Sequence, residues 1–427
     1  MDTIFALATA QGRAGVSVVR ISGPEAFTCA QRLCGTLPAP RQAVLRSLRD
    51  ETGELLDRAL ILSFKGPHSF TGEDVVELHL HGSIAVASVV LRCLGAGSAR
   101  MAEPGEFTRR ALENDKMDLA QVESLGDLIE AETEGQRKQA LRVLDGALGE
   151  KIETWRAKLI RAAALVEVTI DFADEDVPVD VSPEVMSLLK AVSEDVEKEL
   201  AGFAAAERIR TGFEVAIVGP PNAGKSTLLN ALAKREAAIT SERAGTTRDV
   251  IEVRMDLHGH AVTLLDTAGL RDGTDDVEIV GIERAIQRGE AADLRVFLME
   301  LGTESPVRRR SSDILIAPKA DTRTDDVLAV SGKTGKGIQT LTELIANSLA
   351  SMTASAGLAT HSRHRDVMSK SLDALDIARD CVGNGPDQYD IAAEEIRSSI
   401  RSLEGLVGRI GVENLLDEIF SSFCLGK

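Results

Sequence analysis

Residues 219–226, Gly-Pro-Pro-Asn-Ala-Gly-Lys-Ser, form a glycine-rich pattern that can bind phosphate. They follow the apolar run 215–218 and precede a helical pattern from Thr227, so they join a predicted strand to a predicted helix. The backbone N–H groups of such a loop curl around a phosphate chain, and the helix N-terminus adds partial positive charge. Lys225 can reach the β- and γ-phosphates, and the Ser226 hydroxyl can ligate Mg²⁺. The sequence therefore predicts a nucleoside-triphosphate site with contacts from Asn222, Ala223, Gly224, Lys225, Ser226 and Thr227.

Two later motifs offer groups for the metal and the γ-phosphate. Asp266 begins Asp-Thr-Ala-Gly after the apolar run 262–265, and a carboxylate at a strand end can hold Mg²⁺ through water. Gly269 permits a backbone N–H contact to the γ-phosphate and lets the loop move. Residues 245–249 read Gly-Thr-Thr-Arg-Asp, and the Thr247 hydroxyl can complete the Mg²⁺ shell.

Residues 319–333 predict which nucleotide base the site binds. Lys319 and Asp321 follow the apolar run 314–316, and Asp321 can accept hydrogen bonds from the N1–H and 2-amino groups of guanine, which adenine does not offer. Ser331 begins a Ser-Gly-Lys triplet that fits the short loop backing the base. These motifs, in this order, predict a GTPase of the translation-factor-like class.

The guanine motif departs from its usual form at Pro318, where asparagine normally stands. Proline lacks both the side-chain amide and the backbone N–H, so one base contact is lost. Asp321 remains, and we expect the preference for guanine to survive.

The composition restricts the partners and the compartment. The 427 residues suffice for two or three domains, and the net charge is −18. An acidic chain does not attract nucleic acid as a whole, so contact with RNA requires a local basic patch or a basic partner. Aromatic residues make up only 3%, which argues against base-stacking platforms. Five scattered cysteines, no evident signal peptide and no apolar run that could span a membrane predict a cytoplasmic protein.

Four segments are expected to position these groups. Residues 1–118 mix β-rich runs at 15–21 and 74–80 with a helix at 84–94, which is an α+β pattern. Residues 119–210 have apolar residues at helical spacing, with a break near 171–183. Strands and helices alternate over 211–352, as in α/β Ras-like P-loop domains, and helical periodicity returns over 353–427. We predict an α+β N-terminal domain and an all-α helical domain that contains an inserted α/β GTPase domain.

Motifs along essentially the whole chain resemble the MnmE (TrmE) family of tRNA-modification GTPases. They lie at 2–4, 12–13, 20–23, 70–74, 77–78, 81–82, 104–108, 114–119, 221–226, 245–249 and 423–427. The resemblance implies an N-terminal folate-binding domain that forms a homodimer, and a partner, the FAD-containing flavoprotein MnmG. The family is understood to modify C5 of the wobble uridine of certain tRNAs. The one-carbon unit comes from 5,10-methylene- or 5-formyl-tetrahydrofolate.

The resemblance also implies roles for individual residues in the GTPase domain. Asn222 ligates K⁺ with Thr246 and with backbone carbonyls near Ser241 and Arg243. A cation there offsets the negative charge that develops in phosphoryl transfer. Glu278 orients the attacking water. The predicted GTP site also includes Ser241, Thr246, Thr247, Asp266, Gly269, Lys319, Asp321 and Ser331.

A second group of implied roles concerns the folate. Glu77 accepts hydrogen bonds from the pterin ring, while Arg20, Lys116 and Lys427 meet the folate carboxylates. Cys424, in the terminal Cys-Leu-Gly-Lys, lies near the folate end of the active centre as a catalytic group.

Two other functions stay open at this point. A ribosome-assembly GTPase shares the GTP motifs but usually carries a basic RNA-binding module, and none is evident after residue 350. A scaffold with a decayed GTPase site is suggested by Pro318 alone.

His79 and His81 share a strand face, but zinc needs two further ligands that the sequence does not offer, so we predict structural roles for both.

Overall fold

The computed structural model describes residues 2–171, 180–235, 252–266, 286–305, 307–325, 327–409, 419–420, 423 and 426. The chain forms two compact units, residues 1–126 with 404–427, and residues 127–403. None of the helices in the described ranges combines the length and the apolar content that a bilayer crossing requires.

The first unit is built on a six-stranded sheet with the strand order β3-β4-β5-β2-β1-β6. Neighbouring strands are antiparallel except β1 and β6, which are parallel. The strands are β1 (Ile4–Leu7), β2 (Val16–Ser22), β3 (Val44–Arg49), β4 (Leu55–Phe64), β5 (Val75–His81) and β6 (Arg100–Met101). The helices are α1 (Ala26–Cys34), α2 (Ile84–Gly95), α3 (Glu106–Glu113) and α4 (Leu119–Glu130), whose last residues belong to the second unit.

The two faces of this sheet differ because successive strand residues point to opposite sides. One face, which includes Val19, Ile61 and Leu78, forms a buried core with the apolar residues of α1 and α2. The other face carries Arg20 on β2 and Glu77 directly opposite on β5. Alternation in β2 and β5 thus separates the core from a polar, half-exposed face.

The second unit contains the helices that precede and follow a second sheet. They are α5 (Glu134–Leu144), α6 (Ala147–Asp171), α7 (Ser182–Thr211), α10 (Ser362–Asn384) and α11 (Tyr389–Leu406). Helix α7 packs against α6 and also against α10. Helices that are about 150 residues apart in the sequence therefore pack together, with the α/β segment between them in the chain.

The second sheet has the strand order β12-β11-β10-β7-β9-β8, and all neighbours are parallel except β8 and β9. Its elements are β7 (Phe213–Val218), α8 (Lys225–Arg235), β8 (Glu252–Leu257), β9 (His260–Asp266), β10 (Leu294–Leu298), β11 (Ile314–Pro318), β12 (Ala329–Val330) and α9 (Ile338–Thr353). Apolar residues of these strands form one buried core with α8 and α9.

The predicted fold class is confirmed: an α+β N-terminal part, a helical part and an α/β P-loop part. The strands predicted at 15–21 and 74–80 are β2 and β5, and the helix predicted at 84–94 is α2. The helix after the phosphate loop begins at Lys225, two residues earlier than the pattern indicated. The boundaries of the four predicted segments stay a prediction.

Candidate functional site

The phosphate loop connects β7 to α8 in the middle of the second sheet, where β7 lies between β10 and β9. Gly219 is required at the start of the loop, because a Cβ there would lie 2.5 Å from the carbonyl oxygen of Leu298. Asn222 has a φ of 61°, a left-handed conformation that asparagine adopts more readily than most residues. Gly219 and Asn222 therefore allow the loop to turn tightly enough to wrap around a phosphate chain.

The Lys225 side chain folds back onto this loop. Its Nζ donates hydrogen bonds to the carbonyl oxygens of Gly219, at 2.8 Å, and Pro220, at 3.1 Å. Burial lowers the pKa of the Lys225 ammonium, and the nearby Asp266 carboxylate opposes that effect. The cation is therefore held at the loop, where a phosphate chain would meet it.

Ser226 and Asp266 form the candidate Mg²⁺ site. The Ser226 hydroxyl donates to Asp266 Oδ2 at 2.7 Å, so the first turn of α8 meets the end of β9. Asp266 is buried, and in the described part of the chain its Oδ1 has no hydrogen-bond partner. A hydroxyl oxygen next to a buried carboxylate with a spare acceptor fits Mg²⁺, which prefers oxygen ligands and retains bound water.

A cavity of about 340 Å³ joins the phosphate loop to the guanine motif. The Ser331 hydroxyl lowers the pKa of the Asp321 carboxyl, so Asp321 is an ionised acceptor at neutral pH. The structure thus brings together predicted residues that are about a hundred positions apart in the chain. Those that line the cavity are Asn222, Ala223, Gly224, Thr227, Lys319, Asp321 and Ser331.

Gly332 belongs to the Ser-Gly-Lys triplet predicted to back the base, but the sequence reasoning gave it no contact of its own. A Cβ at this position would lie 2.6 Å from the backbone N of Leu228 and 2.7 Å from the backbone C and O of Thr227. Only glycine allows the loop that backs the base to approach α8 so closely. Leu298, Thr322, Val330 and Lys333 also line the cavity. The Ser-Gly-Lys triplet was the available signal for Gly332 and Lys333, whereas Leu298 and Val330 are ordinary strand residues.

Pro318 is the last residue of β11 and pairs with Val330 of the parallel strand β12. Lys319 follows it with a φ of 57°, so the chain turns sharply out of the sheet. The turn delivers Asp321 to the cavity even though residue 318 lacks the usual amide.

Two of the candidate folate residues, Arg20 and Glu77, lie on the polar face of the first sheet. Arg20 donates from Nε at 3.1 Å and from Nη2 at 2.9 Å to Glu77 Oε1. Its guanidinium carbon lies 5.0 Å from the ring centre of Phe70 and 5.7 Å from that of Phe107. Arg20 is therefore fixed by a carboxylate and two aromatic rings. Phe70 and Phe107 lie within the motifs that carried the family resemblance, but their position against Arg20 was not expected.

Lys116 lies beside the same region. A Cβ at Gly72 would lie 3.1 Å from Lys116 Cε, so the lysine side chain runs over the turn that follows Phe70. Gly426 also lies against this sheet, because a Cβ there would lie 2.1 Å from the carbonyl oxygen of Leu7, the last residue of β1.

The remaining predicted site residues lie outside the described residues. They are Ser241, Arg243, Thr246, Thr247, Gly269, Glu278, Cys424 and Lys427. Their assigned roles stay predictions.

Comparisons with known proteins cover the whole chain. Residues 3–116 match the family described as GTP-binding protein TrmE N-terminus, and residues 119–424 match the MnmE helical domain. The chain is 62% identical over 428 residues to the tRNA modification GTPase MnmE of Roseobacter denitrificans, with 100% of both chains covered. It is equally 62% identical over 428 residues to that of Ruegeria pomeroyi and 49% identical over 427 residues to that of Paracoccus denitrificans, again over 100% of each chain.

Among solved structures, Era in complex with MgGDPNP and a 16S ribosomal RNA fragment is 24% identical to this chain. It covers 32% of this chain and 56% of its own, with a TM-score of 0.26. That likeness is too low to bear on the assignment, which follows from the family matches and the relatives. On that basis, the chain belongs to the MnmE (TrmE) family of tRNA modification GTPases.

Proposed function

We propose that this protein is a K⁺-dependent GTPase that modifies C5 of the wobble uridine of certain tRNAs together with the flavoprotein MnmG. The single observation that carries the GTPase part is the cavity of about 340 Å³ shared by the phosphate loop and the guanine motif. The relatives that are 62% identical over their whole length carry the name tRNA modification GTPase, which supports the tRNA part.

Different side chains of this protein bind the base, bind the phosphates with Mg²⁺, and orient the attacking water. Asp321 accepts the N–H donors of guanine, and the Ser331 hydroxyl stabilises the ionised form of its carboxylate. Lys225 neutralises charge on the β- and γ-phosphates, and Ser226 with Asp266 holds Mg²⁺. Glu278 orients the water that attacks the γ-phosphate.

Asn222 is proposed as a K⁺ ligand together with Thr246 and backbone carbonyls near Ser241 and Arg243. When bound, K⁺ supplies positive charge where negative charge develops in the transition state. The place of Asn222 at the cavity wall supports this role.

The test compares GTP turnover in KCl and in NaCl at equal ionic strength, for the wild type and Asn222→Ala. We expect turnover in K⁺ to exceed that in Na⁺, and we expect Asn222→Ala to lose most of the K⁺ stimulation. Equal rates in the two salts would refute the K⁺ requirement. No turnover in either salt would instead favour the scaffold with a decayed site.

We further propose that the first unit binds 5,10-methylene- or 5-formyl-tetrahydrofolate at Arg20, Glu77, Lys116 and Lys427, with Cys424 at the reacting end. The contact between Arg20 and Glu77 supports this, as does Lys116 alongside the same turn. Gly426, which precedes Lys427, lies against the last residue of β1, and β1 is the strand next to Arg20. Titration with 5-formyl-tetrahydrofolate tests the site, and Glu77→Gln is expected to weaken binding.

A homodimer through the same sheet is part of the proposal. The polar face continues into apolar side chains that are exposed on the isolated chain: Val16 at 52%, Leu45 at 62% and Leu60 at 40%. Strand pairing places them on one face, since Leu45 lies opposite Leu60 and Leu60 opposite His79. Neighbouring exposed apolar residues favour association. Sedimentation should report a dimer for the wild type and a monomer for Leu45→Glu with Leu60→Glu.

The tRNA and MnmG contacts follow from the proposed function and need a basic partner or a local patch, because the chain carries a net charge of −18. Analysis of wobble uridines in tRNA from a deletion strain separates this function from that of a ribosome-assembly GTPase, whose loss would leave them modified.

We propose domain boundaries at 118/119, 210/211 and 352/353.

A further inference from the structure

The Glu77 carboxylate, which the proposed function assigns to the pterin ring, is held from two sides. Arg20 donates two hydrogen bonds to Oε1, from Nε at 3.1 Å and from Nη2 at 2.9 Å. On the other side, His79 Nε2 lies 3.2 Å from Oε2. An ionised carboxylate only accepts hydrogen bonds, so His79 Nε2 carries the proton and donates it.

The two oxygens differ in what they can still accept. A carboxylate offers about four lone-pair positions, two on each oxygen. Oε1 already accepts two hydrogen bonds from Arg20, whereas among the described residues Oε2 accepts one, from His79. A further N–H donor therefore finds its acceptor at Oε2.

We propose that His79 is a positioning residue that directs Glu77 Oε2 toward the pterin ring of folate. This inference rests on the proposed folate site. The terminal torsion of a glutamate is broad, so the carboxylate plane is set by its partners rather than by the side chain itself. Arg20 is fixed against Phe70 and Phe107 and anchors Oε1. His79 then determines where Oε2 points.

A packing role for His79 is the competing explanation. The side chain is 29% exposed and lies opposite Val18 on β2 and Leu60 on β4, so it also fills space on the sheet face. The packing role and the positioning role differ in what a side chain substituted for His79 must provide. Packing needs volume, which His79→Leu largely keeps, whereas positioning needs an N–H donor, which His79→Gln keeps.

His81 provides a matched control on the same strand face, two residues further along. Its Nδ1 lies 2.7 Å from Asp57 Oδ1, and its side chain is 73% exposed. It thus has a carboxylate partner of its own and, among the described residues, makes no hydrogen bond or ion pair with Glu77. His81→Leu and His81→Gln test whether any loss at His79 is specific.

The experiment measures the dissociation constant of the full chain for 5-formyl-tetrahydrofolate by calorimetry, with thermal midpoints as the measure of folding. We expect His79→Leu to weaken binding about tenfold or more, as for loss of a hydrogen bond to a charged group. We expect His79→Gln to stay within about threefold of the wild type, as a retained donor requires. The two His81 variants should bind as the wild type does.

Equal loss in both His79 variants would show that the ring shape matters and would overturn the inference, as would full retention in both. Failure of the wild type to bind would overturn the folate site itself. In that case, ¹⁵N spectra of histidine-labelled protein without ligand would test the contact between His79 and Glu77. We expect the His79 signals, but not those of His81, to change in Glu77→Ala. Unchanged His79 signals would show that the two side chains do not interact.

Discussion

Gly332→Ala tests whether the close approach between the base-backing loop and α8 determines nucleotide affinity. The added Cβ would lie 2.6 Å from the backbone N of Leu228, about 0.8 Å inside an ordinary contact of 3.4 Å. The atoms that the added Cβ would meet belong to the backbone of Thr227 and Leu228, so rotation of a side chain cannot relieve the clash. Leu228 and Leu229 are buried in the core and fix α8, so the loop must move.

The loop that moves carries Ser331, whose hydroxyl stabilises the ionised form of the Asp321 carboxylate. Overpacking of this kind costs about 1–3 kcal/mol. If the displaced loop must return for the base to bind, that cost corresponds to roughly a 5- to 150-fold loss of affinity. GDP and GTP should lose affinity equally because they share the base. Turnover at saturating GTP should change little, because Lys225, Ser226 and Asp266 are not displaced.

The assay is titration of fluorescent GDP and GTP analogues against the wild type, Gly332→Ala and a matched glycine variant. Gly383 in α10 has no atom within 4 Å of an added Cβ, so Gly383→Ala should leave both affinities unchanged. Gly332→Ala with affinities within twofold of the wild type would refute the reasoning, since the loop would then adapt without cost.

Three further changes give separate expectations. Pro318→Asn should tighten GDP and GTP alike by roughly 5- to 150-fold through a restored hydrogen bond to the base, and unchanged affinity would mean that another group already makes that contact. Glu278→Ala should leave GTP binding nearly intact and slow turnover about a hundredfold or more, as for loss of a water-positioning group, and weak binding with normal turnover would contradict that role. Arg295→Met should lower the free energy of unfolding by about 3–5 kcal/mol, because it leaves the fully buried Asp313, 3.0 Å from Arg295 Nε, without its cation. Chemical denaturation measures this, and Asp313→Asn on the same background should recover part of the loss.

The sequence by itself determined the order of the GTP motifs, the fold class and the family. These features are local: the phosphate loop is eight consecutive residues between an apolar run and a helix, and Asp266 and Asp321 each follow an apolar strand pattern. Because parallel strands carry their following loops at one edge of a sheet, such motifs meet once the strands pair. The convergence of the Asn222 loop and the Asp321 loop on one cavity follows that rule.

Only the tertiary structure decided which groups touch. Arg20 and Glu77 are 57 positions apart, and their contact depends on the register of β2 against β5. A slip of one residue would move each side chain to the other face. Gly332 lies in a triplet that the sequence indicated, but the reason that only glycine fits there comes from the backbone of α8 about a hundred residues earlier. His79 and His81 have the same residue type and face, yet His79 meets Glu77 of its own strand β5 whereas His81 meets Asp57 of the neighbouring strand β4. Sequence patterns specify elements and motifs, whereas strand register and packing specify the partners of each side chain.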